Sequence, residues 1–144
     1  MQSRTCKDSV TPGHQAAWRA TAAPEIVGTM RRASRRVLLD WGLNHIVDAA
    51  ELCISELVTN AVLHGVNSYP EVELQLTVLS DRLCIDVTDG DPTVPQLCPP
   101  TAENEHGRGL VLVSLMATGF GFKRSATGKT VWCVLEVPAS DSTC

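Results

Sequence analysis

At 144 residues, with 44% hydrophobic and 19% charged side chains, the chain has the length and composition of one ordinary globular domain, which excludes disordered and fibrous architectures. A formal net charge of -4 and only 4% aromatic residues argue against a direct nucleic-acid binder, which needs concentrated Lys and Arg and surfaces for base stacking. Neither a signal-peptide pattern nor an uninterrupted apolar run of membrane-spanning length is present, so no membrane association and a cytoplasmic location are expected.

Residues 1–13 are polar and close on Pro12-Gly13, which predicts a disordered or extended leader. His14–Ala23 reads as a first strand. Pro24 and Glu25 suit the first turn of a helix, where proline needs no donor and an acid meets the positive end of the dipole. Ile26, Met30, Ala33, Val37 and Leu38 then recur at helical spacing as far as Trp41, and Gly42 ends the run. Arg31, Arg32, Arg35 and Arg36 are placed by their spacing around the solvent side of that helix, as a solvated face or a docking patch.

A second helix is predicted from Asn44 to Gly65, with Ile46, Ala50, Cys53, Leu57 and Ala61 as its apolar stripe. Val72–Leu79 alternates apolar and polar residues, as a half-buried strand does, and Leu83–Thr88 returns after the turn Ser80-Asp81-Arg82. Residues 91–107 carry prolines and no apolar period, which predicts a long lid-like loop. A mainly apolar helix from Leu110 to Met116 closes at Gly119. Two further strands, Phe120–Ser125 and Thr130–Val137, flank a turn at Ala126-Thr127-Gly128-Lys129, and a polar tail covers 139–144. The order β-α-α-β-β-loop-α-β-β predicts an α+β, two-layer sandwich, with a mixed sheet carrying its helices on one face. Six cysteines without a C-x-x-C pair suggest no metal or redox motif, and Cys53, Cys84 and Cys133, inside apolar runs, read as reduced buried thiols.

Glu56, Asn60 and His64 stand at i, i+4 and i+8 of the second helix and share one face. A polar stripe on a helix ordinarily faces water. Here Leu57, Val58, Ala61, Val62 and Leu63 make the helix apolar almost all round, so a carboxylate, an amide and an imidazole among them point to a cleft. Asp89-Gly90 after a strand is a common turn former as well as a candidate site. Gly107-Arg108-Gly109-Leu110, opening a helix, suits an anion: glycines let backbone N–H groups approach, the helix adds its positive end, and Arg108 supplies a charged fork. Neither the P-loop nor the dinucleotide-binding fingerprint occurs.

The segments Glu56 to Gly65, Asp86 to Gly90 and Gly107 to Val113 together resemble, in order and spacing, the three nucleotide boxes of the GHKL superfamily of ATPases and kinases. The short chain, the core Ser55-Glu56-Leu57-Val58-Thr59-Asn60-Ala61 and the ending Gly128-Lys129-Thr130-Val131-Trp132 are similar to bacterial anti-sigma-factor serine/threonine-protein kinases of the actinobacterial type. The resemblance covers about residues 14–138 and implies a Bergerat fold. It further implies ATP and Mg²⁺ as cofactors, with Asn60 holding Mg²⁺ at the phosphates and Asp89 accepting from the adenine amino group. Glu56 would be the general base, Thr130 would support the adenine side, and Gly107, Arg108 and Gly109 would hold phosphates beneath the lid, with His64, Gly90 and Leu110 completing the nucleotide site. The second box of the family often reads Asp-x-Gly-x-Gly, whereas Asp91-Pro92 here follow Asp89-Gly90, so the second glycine is missing. The implied role is a stand-alone regulator that phosphorylates or sequesters a protein partner, a sigma factor or an anti-sigma antagonist, with a homodimer compatible. The alternative is a non-catalytic module whose partner affinity ATP controls.

Overall fold

A computed structural model describes residues 13–65, 71–90, 112–125 and 128–138. Strand β1 (His14–Thr21) is followed by helices α1 (Pro24–Asp40) and α2 (Val47–Gly65), then by strands β2 (Glu71–Leu79) and β3 (Arg82–Asp89). A helical segment at 112–116 precedes β4 (Gly119–Ser125) and β5 (Gly128–Glu136). Helix α1 opens with proline in its first turn and Glu25 beside it. Beyond its end Gly42 adopts φ +81, a left-handed conformation that a side chain disfavours. The second helix starts three residues later than the spacing suggested, because 44–46 form turns. Residues 1–12 of the expected 1–13 leader and the tail at 139–144 lie outside the described residues, as does the expected lid.

The five strands form one sheet in the order β1-β2-β3-β5-β4. All four pairings are antiparallel, which corrects the expectation of a mixed sheet. For β1 and β2 the reason lies in the crossover between them. A single helix would return the chain parallel, but two helices laid against each other reverse it once more. Ion pairs also run between the two helices. Arg31 Nε lies 3.4 Å from Glu51, and Arg35 donates to Glu51 at 2.7 Å and Asp48 at 3.1 Å, so the partners run in opposite directions along the two helices. Two of the four clustered arginines are therefore ion-paired to α2 while keeping much of their side chains in solvent, and Arg32 and Arg36 are exposed.

The core lies between the helices and one face of the sheet. Met30 and Leu38 of α1 and Cys53, Ile54, Leu57, Val58 and Ala61 of α2 pack on the alternating residues Val72, Leu74 and Leu76 of β2, Leu83, Ile85 and Val87 of β3, and Val131, Cys133 and Leu135 of β5. The opposite face is also largely buried where β2, β3 and β5 adjoin: Thr77, Cys84, Asp86 and Trp132 are each under a tenth exposed. Cys84 is disulfide-bonded, not the reduced thiol the sequence suggested, whereas Cys53 and Cys133 are free and buried as expected.

Candidate functional site

Helix α2 presents Asn60 at the margin of its buried arc. At about 100° per residue, Glu56 falls about 40° beyond it, on the side away from Leu57 and Ala61. The accessibilities follow that geometry, with Leu57 and Ala61 buried, Asn60 6% exposed and Glu56 half-buried. The Asn60 Oδ1 has no hydrogen-bond partner among the described residues. A buried, unpaired amide oxygen is costly, about 1–3 kcal/mol, and uncommon enough to point to a ligand. It is also a suitable oxygen for a hard divalent cation. His64 lies in the last turn of α2, but its side chain is not among the described ones.

The second part of the site is the end of β3. Neighbouring residues of a strand point to opposite faces, so Leu83, Ile85, Val87 and Asp89 share the face that packs on the helices. Asp89 is 3% exposed there, and Gly90 follows it as a bend. Its cross-strand neighbour is Lys129, which is 1% exposed. The Lys129 Nζ donates to Asp89 Oδ1 at 3.2 Å and to Oδ2 at 3.1 Å, so one ammonium spans both carboxylate oxygens. Two charges this deeply buried are tolerable only as a pair.

The sequence reading placed Lys129 in a turn; the structure places it inside β5, on the buried face shared by Val131, Cys133 and Leu135. Carrying the period-two alternation of β5 back by one step would have found it. The same alternation turns Thr130 the other way. Its hydroxyl bonds to that of Thr88 at 2.7 Å on the opposite face of the sheet, away from Asp89. Asp89 and Lys129 thus stand on the sheet face that packs against the helices, with Gly90 following Asp89, while Asn60 is buried on α2 and Thr130 is directed to the other face. Gly107, Arg108, Gly109 and Leu110 lie outside the described residues.

Beneath the site, Cys53 of α2 and Cys133 of β5 meet in the core, each 0% exposed. The hydrogen bond to Cys53, together with burial, holds the Cys133 thiol well above its ordinary range, so it stays protonated.

The profile of the family described as Histidine kinase-like ATPase domain matches residues 20–135, a span that includes both Asn60 and Asp89. Uncharacterized protein SCO4941 of Streptomyces coelicolor is 35% identical over 83 residues, which is 56% of this chain and 78% of that protein. The crystal structure of the RsbU and RsbW domains of Rv1364c from Mycobacterium tuberculosis superposes with a TM-score of 0.62 at 20% sequence identity, over 89% of this chain. This chain spans 34% of that one, and a likeness at such identity speaks for the fold.

Proposed function

The chain belongs to the histidine kinase-like ATPase domain family, and on that footing we propose that it is an ATP-binding regulator of anti-sigma-factor type, a protein serine/threonine kinase that phosphorylates or sequesters a protein partner. The observation that carries the reading is the Asn60 Oδ1, a buried acceptor without a partner on the helix that the family uses for its first nucleotide box. The donor set fits Mg²⁺-ATP: an amide oxygen suits the ion, and a carboxylate at the end of β3 suits an amino group of the base. When bound, Mg²⁺-ATP would supply the phosphoryl group and the charge that neutralises it. Asn60 would hold the ion, and Asp89 would accept from adenine. Glu56, one turn before Asn60 and half-buried, would take the proton of an incoming serine or threonine hydroxyl.

The resemblance of Ser55 to Ala61 and Gly128 to Trp132 to anti-sigma-factor kinases supports a sigma factor or an anti-sigma antagonist as the partner class. A second reading, a module in which ATP is only a conformational ligand, is favoured by the departure Asp89-Gly90-Asp91-Pro92 from the glycine-rich second box. The test is titration of the full chain with Mg²⁺-ATP, followed by incubation with labelled ATP and candidate sigma and antagonist proteins. Binding with label on the partner is the expected result. Binding without transfer to any cognate partner supports the module, and no binding at millimolar ATP overturns both.

A further inference from the structure

We infer that Lys129 sets the affinity of the nucleotide site, because it occupies the Asp89 carboxylate and competes for it with the amino group of the base. The inference rests on the reading of Asp89 as the base acceptor. The Nζ of Lys129 holds both carboxylate oxygens, at 3.2 and 3.1 Å, and the side chains of the pair are 0% and 1% exposed. Each oxygen keeps a second lone pair, but the carboxylate is 1% exposed with the ammonium lying across it, so an incoming amino group competes with Lys129 for the same buried acceptor. The exchange is unfavourable on its own terms. A contact between two charges is replaced by one in which only the acceptor is charged, and the displaced ammonium loses its partner. The lysine is built to make the exchange, since its ammonium is a compact charge on a flexible four-carbon stem.

Two features of the fold put Lys129 in this position. The register of β3 and β5 sets it directly opposite Asp89. Gly128, beside it, has no side chain, and this lets β5 run against the backbone of Asp89 and Gly90. Thr130 cannot share the task, because its hydroxyl is on the other face with Thr88.

The experiment compares wild type with Lys129→Thr and Lys129→Met by calorimetric titration with Mg²⁺-ATP, with circular dichroism to show that each variant is folded. Both variants are expected to bind about tenfold or more tightly, the factor that corresponds to the lost competition of one charge-assisted contact. A merely structural lysine gives the opposite result, since damage to the pocket weakens binding. Should the variants not fold, the wild type decides the matter through the ¹⁵N signal of the Lys129 ammonium, whose slow hydrogen exchange makes a buried, paired lysine visible. Loss or a large shift of that signal on saturation with Mg²⁺-ATP supports displacement. Wild-type binding with an unchanged ammonium signal, or with unchanged or weaker affinity in folded variants, overturns the inference and leaves the nucleotide reading intact. Failure of the wild type and both folded variants to bind ATP overturns the nucleotide reading itself, and this inference with it.

Discussion

Gly128 lies so close to the end of β3 that a Cβ on it would overlap the carbonyl oxygen of Asp89 and come within 2.9 Å of Gly90 Cα. Both contacts are backbone, which cannot swing aside as a side chain tip can. Gly128→Ala is therefore expected to push β5 away from the Asp89-Gly90 corner and to destabilise the fold by at least the 1–3 kcal/mol typical of overpacking. Urea denaturation measures the loss, and an unchanged midpoint and slope would show that the corner has room that the structure denies it.

The pair beside that glycine predicts strong coupling. Lys129→Met leaves a buried carboxylate without its ammonium, and Asp89→Asn leaves a buried ammonium without its carboxylate, so each is expected to cost about 3–5 kcal/mol. The double variant removes both charges and should recover most of the loss. Denaturation of the four proteins forms a double-mutant cycle, and simple additivity of the two single losses would show that the ion pair contributes nothing to the fold.

Asn60→Ala separates ligand binding from stability. The Oδ1 it removes bonds to nothing among the described residues, so the melting temperature is expected to stay level or rise. Affinity for Mg²⁺-ATP should fall, and by more than affinity for ATP in EDTA, since the amide acts through the ion. An equal loss with and without the metal would remove Asn60 from the metal site.

Base selection offers a further measurement. Guanine presents O6, an acceptor, where adenine presents its amino donor, so the Asp89 carboxylate should favour ATP and ADP over GTP. Calorimetry with the three nucleotides tests this, and equal affinity for GTP would withdraw Asp89 from base recognition.

Glu56→Gln keeps the shape of the side chain and removes its ability to accept a proton. The kinase reading expects near-normal Mg²⁺-ATP binding with phosphoryl transfer reduced by roughly 10²–10⁴, the range of a general base. A partner-phosphorylation assay beside a nucleotide titration measures both, and undiminished transfer would exclude Glu56 as the base.

The core thiols give a chemical check on the packing of α2 against β5. Because a raised pKa keeps the Cys133 thiol protonated as pH rises through the range where an exposed cysteine ionises, the thiolate that alkylating agents need is scarce. Cys133 is expected to resist iodoacetamide at pH 8 in the folded chain and to react in urea, as read by mass spectrometry of tryptic peptides. Rapid labelling of the native protein would place it outside the core.

Local pattern alone was enough for much of this molecule. Apolar spacing marked both long helices, alternation marked β2 and β3, and the i, i+4 relation placed Glu56 and Asn60 together, because each of these is set within a few residues of chain. The sequence also carried the order of elements and the family resemblance, through motifs whose spacing survives in a linear reading. What the tertiary structure decided depends on pairing between distant segments. The pairing of β1 with β2 is antiparallel because α1 folds back on α2 in the connection between them, a contact that no single helix pattern contains. The start of β5 at Gly128 is fixed by its register with β3, and a strand that begins two residues earlier than its pattern suggests takes Lys129 out of a turn and into the buried face. That register joins Lys129 to Asp89 and turns Thr130 toward Thr88, because side chains along a strand alternate in direction and only the partner strand determines what each one meets.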